Sequence, residues 1–441
     1  MNDDGQILDQ AVIKQLHENY KNTPQADVLQ RTITQNGVNA AATDPAATIR
    51  LDPVFSLEVK TGKVTNQRRS GRCWIFSTTN MLRHNFAQKY NVKDFELSEK
   101  YLFFWDKIER ANIFYERMIA TASRPVDDRE VAFYLSMPDE DGGQWAMAAG
   151  LVEKYGVVPA SAYPETANSK DSSGFSLVLN QKLRKDGLKL RELVNHGDND
   201  AEIKRVRQAM LQEVYRLAVY SLGEPPTSFD LVYRDDKDNY HRDNQIKPLD
   251  FYHQYFDMDL SDYVVATNSP DKPMNQLYSL PSEDNIIGGR KIEFVNLPMT
   301  ALEQTAIAQL QDGETVWFGN DVLLQMDRKT GYLDSQLYRY DELFDINTQM
   351  TKAQRLAYHD AAVSHAMTLT GVDLVDGQPR KWKVENSWGD KSGNAGYFTM
   401  NENWMQDYVY EVVVNKKYLS DEQQAILKQT PIVLPAWDSL A

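Results

Sequence analysis

The chain has 441 residues, 42% hydrophobic and 25% charged, enough to bury a large core, and length alone suggests two or three domains. Its formal net charge is −15, from 63 acidic against 48 basic side chains, which disfavours attraction to nucleic acid or to an anionic membrane surface. A single cysteine excludes any internal disulfide and any multi-cysteine zinc site and suits a reducing compartment, so a cytoplasmic location is expected.

The opening Met1-Asn2-Asp3-Asp4 is acidic and without an apolar run, so no secretory signal is expected. No stretch reaches the ~20 apolar residues that a membrane span needs. Residues 2–52 are polar, with one helix expected over 7–20, and read as an arm rather than a core domain. A strong helix is expected after Cys73, where Ile75, Leu82 and Phe86 share one face. Another is expected over 144–155, stopped by Gly156. Residues 173–222 read as two charged amphipathic helices divided at Asn195-His196-Gly197-Asp198, and Gly223-Glu224-Pro225-Pro226 breaks the pattern. Residues 229–298 are aromatic, charged and irregular. Residues 315–319 then read as a buried strand, and strands over 365–374 and 381–386 flank a turn at Asp376-Gly377-Gln378-Pro379. No internal repeat is visible. Helices early and strands late indicate an α+β fold.

A lone cysteine is usually a small buried hydrophobe. Here Ser70-Gly71-Arg72 places Cys73 in the first turn of a helix, where unpaired N–H groups and the helix dipole favour a thiolate. Arg72 is expected to add to that effect. A thiolate attacks carbonyl carbon, and such a nucleophile needs an acid–base partner and an orienting group. His17, His84, His196, His241 and His253 lie in polar or helical contexts and read as solvated or structural. His365 instead opens an apolar strand. A hairpin turn centred between Asp376 and Gly377 brings Asn386 within two positions of His365, inside the slack of one bulge, so the two are expected to be hydrogen-bonding cross-strand neighbours. Taken alone, Asn386 would read as a turn residue. Ser387-Trp388-Gly389 supplies an aromatic cover that excludes water. Gln67 precedes Cys73 by six residues, and its amide is expected to join the Cys73 N–H in stabilising an oxyanion, although a loop glutamine is more often solvated.

The strings Asn66-Gln67-Arg68-Arg69-Ser70-Gly71-Arg72-Cys73-Trp74-Ile75-Phe76, Asp141-Gly142-Gly143-Gln144-Trp145 and Glu385-Asn386-Ser387-Trp388-Gly389 resemble those of papain-like cysteine peptidases, within them bleomycin hydrolase and bacterial aminopeptidase C. The resemblance spans nearly the whole chain. It implies Cys73 as nucleophile, His365 as general base and acid, Asn386 as orienter and Gln67 as oxyanion donor. Gly142, Gly143 and Trp388 would line the substrate cleft, the two glycines otherwise reading as an ordinary turn. The implied fold is a helical subdomain plus a β-rich subdomain, with a large helical insertion and an N-terminal arm. The expected divisions are an arm over 1–60, a helical catalytic part over 61–170, an insertion over 171–300, a β-rich part over 301–415 and a tail over 416–441. The resemblance further implies peptide substrates, no metal or organic cofactor, and a homohexamer.

In that family the C-terminal tail lies in the cleft, and its terminal carboxylate binds the substrate's α-ammonium. Ala441 would hold that place here. The present tail is about three residues shorter after Trp437, which at ~3.3 Å per extended residue removes about 10 Å of reach. An aminopeptidase acting on short peptides is the favoured expectation. An oligo-endopeptidase and a non-catalytic scaffold of the same fold are its rivals, and a third possibility is that Trp437 and Leu440 merely anchor a frayed end.

Overall fold

The computed structural model describes residues 7–440. The chain opens with two exposed helices, Gln10–Lys21 and Ala26–Asn36, neither of which buries a residue. Asp9 caps the first through its side chain. Leu57–Glu58 then docks as a short edge on the main sheet, opposite Gly371 and Val372.

Helix α1 (Cys73–Tyr90) runs through the middle of the molecule. Ile75, Leu82 and Phe86 are buried as their spacing predicts, but so are Ser77, Thr78, Thr79, Asn80, Arg83 and His84 on its other faces. Those polar groups are tolerated because they are bonded: Ser77 Oγ donates to Met367 O at 2.6 Å, and Arg83 pairs with Glu385. Helix α2 (Glu99–Ala120) and helix α3 (Trp145–Tyr155) pack on one side of α1. Gln144 is the N-cap of α3, and Gly156 ends it with φ +73°, at a spot where a Cβ would lie 2.1 Å from Pro248 O. Helices α4 (Ser173–His196) and α5 (Asp200–Leu222) form the expected pair and pack on α2. Between them Gly197 takes the left-handed C-cap, and Asn199 caps α5 by accepting from Glu202 N at 3.0 Å.

Residues 229–298 depart from the irregular reading. They contain the hairpin β1 (Phe229–Arg234) and β2 (Tyr240–Ile246), and three strands that belong to the main sheet: β3 (Tyr263–Thr267), β4 (Gln276–Ser279) and β5 (Glu293–Asn296). These last three are four or five residues long and buried along most of their length, so no alternation marks them. One of the two pairings of β3 comes from the far end of the chain, where Val412 and Val413 lie opposite Ala266 and Val265.

After helix α6 (Met299–Gln311) come β6 (Val316–Asn320), β7 (His365–Val375), β8 (Gln378–Glu385), β9 (Tyr397–Asn401) and β10 (Val409–Asn415). The central order of the sheet is β4-β5-β3-β10-β6-β7-β8-β9. The β7–β8 turn is Asp376-Gly377, both with positive φ, as a tight two-residue hairpin requires. One core lies on the helical side around Trp74, Phe86 and Trp145, and another lies on the sheet side around Phe318, Trp382 and Trp404. No helix among the described residues is long and apolar enough to cross a membrane.

Candidate active site

A cavity of about 240 Å³ opens between the N-terminus of α1 and the start of β7. Gln67, Cys73, Gly142, Gly143 and His365 all line it.

Cys73 is the first residue of α1 and is 9% exposed. Burial pushes its thiol above the ordinary value, and backbone N–H groups of Ala366, Trp74 and Cys73 itself oppose that without overcoming it. Arg72 does not act as the sequence suggested. Its guanidinium is fully buried and points away into a bidentate pair with Glu165 at 2.9 and 3.0 Å. It also donates to Ser169 O and Ser70 Oγ and lies over the rings of Phe76 and Phe103. Its charge is thereby balanced by Glu165, and it braces the loop that leads into the helix.

That loop holds Gln67. Its N–H donates to Ser387 O at 2.8 Å, its Oε1 accepts from Ser387 Oγ at 2.5 Å, and its Nε2 donates to Ser70 O at 2.6 Å. Nε2 carries a second hydrogen that none of these contacts uses. Asn66 also pairs with Trp388, and Gly389 N donates to Thr65 O at 3.0 Å. The stretches around Gln67 and Ser387 are thus joined side by side, which sets the helical half in register with the sheet half.

His365 opens β7 opposite Asn320 of β6. Its Nε2 lies 2.9 Å from Asn386 Oδ1. Asn386 is fully buried, and its Oδ1 also accepts the Ser387 N–H at 2.8 Å, so that oxygen is an acceptor and His365 Nε2 must carry the proton. Nδ1 is left as the basic nitrogen. The contact does not arise as the hairpin count suggested. The β7–β8 ladder ends at Thr368 and Glu385, and Asn386 reaches His365 because the chain turns out of the ladder directly after Glu385. The Trp388 ring sits 5.0 Å from the imidazole, with Arg328 stacked 4.5 Å over its indole. Burial lowers His365 to about 4, the Arg328 charge acts in the same direction, and the Asn386 bond opposes both. The closed cleft therefore favours an uncharged thiol and imidazole at rest.

Gly142 and Gly143 differ in what they permit. A Cβ on Gly143 would lie 2.7 Å from the Trp74 indole, whereas Gly142 faces open space. Beneath this loop Lys107 pairs with Asp139 at 2.8 Å and with Asp141 at 3.4 Å, and Arg110 donates to Gly142 O.

The tail enters the same cavity. Leu440 is 1% exposed and lines it, and its carbonyl accepts from Gln144 Nε2 at 2.9 Å. Upstream, Lys272 pairs with Asp438 at 2.9 Å and donates to Ser439 Oγ at 3.0 Å, and Arg129 stacks on Trp437 at 3.8 Å. Ala441, the residue expected to meet the substrate amine, lies outside the described residues. Among the lining residues that the sequence reading did not name as site residues are Gln144, read as a helix start and part of a motif, and the carboxyl groups Glu140, Glu283 and Glu411. The signal for Glu411 was a single carboxylate inside the apolar run Val409-Tyr410-Glu411-Val412-Val413-Val414.

Residues 7–441 match the model of the Peptidase C1-like family. The chain is 53% identical to "Aminopeptidase G" of Lactobacillus delbrueckii subsp. lactis, over 96% of this chain and 97% of that one. It is 52% identical to "Aminopeptidase E" of Lactobacillus helveticus, over 97% and 98%. Its structure is similar to a crystal structure of PepW from Lactobacillus rhamnosis HN001, with a TM-score of 0.97, 46% identity and 98% of each chain covered.

Proposed function

The chain belongs to the Peptidase C1-like family and is a cysteine-type peptidase, and from that premise we propose that Cys73 is its nucleophile and that it removes residues from the amino end of short peptides. The observation that carries the reading is the His365–Asn386 bond, in which Ser387 N–H pins Asn386 Oδ1 and so leaves His365 Nδ1 free to act as base. As Cys73 Sγ attacks the substrate carbonyl carbon, its proton passes to that nitrogen. The Cys73 N–H and the unused Gln67 Nε2 hydrogen receive the developing oxyanion. Collapse breaks the C–N bond, and His365 protonates the leaving amine. Water that has given a proton to His365 then hydrolyses the thioester and restores the thiol. Gly142, Gly143 and Trp388 border the bound peptide.

The exopeptidase part of the reading is supported by the tail. Leu440 is held in the cavity by Gln144, where it occupies part of the cleft beside Cys73 and His365 and so limits how far a peptide extends past them. The rival reading, oligo-endopeptidase, has the peptide pass Leu440 and be cut at internal bonds. Comparing a peptide with a free amino terminus against its acetylated form tests both. Strong preference for the free amine supports the aminopeptidase. Equal cleavage at internal bonds supports the endopeptidase. Loss of hydrolysis in Cys73→Ala tests the nucleophile.

Peptides are the substrates in either case. We assign the protein to the cytoplasm, where a working thiol stays reduced. We also assign it to an assembly of identical copies, six by family resemblance. The exposed apolar residues Ile7, Leu8, Leu16, Tyr20 and Val28 of the N-terminal segment support the assembly.

A further inference from the structure

The active-site cavity holds a carboxyl group that the reaction does not use. Glu411 lies in β10 and is 1% exposed. Its carboxylate makes no ion pair and no hydrogen bond among the described residues, and Oε1 is completely buried without a partner. Room for it is made by Gly319 on the neighbouring strand, where a Cβ would lie 2.9 Å from Oε2 and 3.0 Å from Val363 Cγ1. Burial alone lifts the carboxyl to about 8, with no neighbouring charge offsetting it. Among the described residues other buried carboxyl groups have a polar partner, a cation for Glu385 in Arg83 and His84 and a neutral donor for Glu99 in Thr79. A solitary carboxyl in a strand of valines destabilises the fold, so its partner is to be sought in a ligand.

The surroundings indicate the sign of that partner. Glu411 lines the cavity together with Cys73, His365 and Leu440. Two further acidic residues, Glu140 and Glu283, line it as well, and among the described residues no lysine or arginine does. A cationic nitrogen entering this space meets an acceptor that is already desolvated, which is where a charge-assisted hydrogen bond is strongest. Away from the Cys73 N–H and Gln67 amide, an anionic group meets no cationic side chain among the described lining residues.

Building on the peptidase reading, we propose that Glu411 is a specificity-determining residue that binds a cationic nitrogen of the peptide, in the part of the cleft shared with Leu440. That nitrogen has two sources: the α-ammonium of the first residue, or a lysine or arginine side chain on the acyl side of the scissile bond.

The test uses the full-length protein and matched peptides. In one arm an acetylated peptide carries lysine or norleucine at the first or second position before the scissile bond. In the other, a peptide with neutral side chains is free or acetylated at its amino end. The kcat/KM ratio within each pair is measured for the native chain, for Glu411→Gln and for Glu411→Met, with a thermal melt of each. The native chain should favour the cationic member by about tenfold or more in at least one arm. That ratio should fall to within about twofold of unity in both variants, chiefly through KM. The arm that responds identifies the source. Both variants should melt no lower than the native chain, since each removes an unpaired carboxyl. A native chain indifferent in both arms, or variants that keep its preference, overturns the proposal.

Binding of the same peptides to Cys73→Ala and to Cys73→Ala/Glu411→Gln, by calorimetry, separates this proposal from the peptidase reading. If no peptide is turned over, the peptidase reading fails. The cation site then stands on tighter binding of the cationic peptide that Glu411→Gln abolishes, and falls if the two peptides bind alike.

Discussion

Replacing Arg72 by methionine separates a role in holding the fold from a role in activating the thiol. The guanidinium is 0% exposed and makes two bonds to Glu165, one to Ser169 O and one to Ser70 Oγ. Removing one partner of a buried ion pair typically costs 3–5 kcal/mol. Because the Glu165 side chain is 30% exposed and regains some water, the lower end applies, about 3 kcal/mol. With an unfolding entropy of roughly 2.1 cal/mol/K per residue, a chain of this length should melt about 3 °C lower. Arg72→Met/Glu165→Gln should recover at least about 1 kcal/mol of the loss, because no charge is then left alone in the interior. Alkylation of Cys73 by iodoacetamide should stay within about threefold of the native rate, since Glu165 already balances the charge that is removed. Glu165→Gln by itself should speed alkylation by uncovering the guanidinium. The reasoning is refuted if Arg72→Met leaves the melting temperature unchanged and slows alkylation tenfold or more. In that case the arginine would be acting on the thiol after all.

Three further outcomes are expected. His365 is held near 4 by burial, so the unfolded chain binds the additional proton between pH 6.5 and 4, and folding stability falls as pH drops through that window, by about 3 kcal/mol at pH 4. Denaturant titrations of the native chain and His365→Gln should show this extra loss only in the former, and identical profiles would remove the basis for it. Gly143→Ala should destabilise by about 1–3 kcal/mol because its methyl meets the Trp74 indole, while Gly142→Ala should leave the melting temperature within about 1 °C; equal melts for the two would contradict the geometry. Deleting residues 440–441 should remove about 2 kcal/mol of apolar burial and raise the kcat/KM for acetylated peptides relative to free ones. An unchanged ratio would mean that the tail does not guard the amino-end side of the cleft.

The local pattern of the chain determined much of this. Cys73 at the start of a helix, the stop at Gly156, the paired helices divided at Gly197 and the Asp376-Gly377 hairpin all follow from backbone chemistry that acts within a few residues. The α+β division follows from the same signals. Tertiary structure decided what depends on partners distant in sequence. Strands β3, β4 and β5 are too short to declare themselves, and β3 is held between β10 on one edge and β5 on the other. Arg72 adjoins the thiol in sequence, yet Glu165 turns its charge away. Asn386 meets His365 through a departure from the hairpin ladder rather than through its register. Gln144 bonds Leu440 across 296 positions, and Glu411 faces the cavity beside Cys73. Short-range propensity carries no information about which charge will be neutralised, or which carboxylate will be left without a partner, because burial and long-range contact set both.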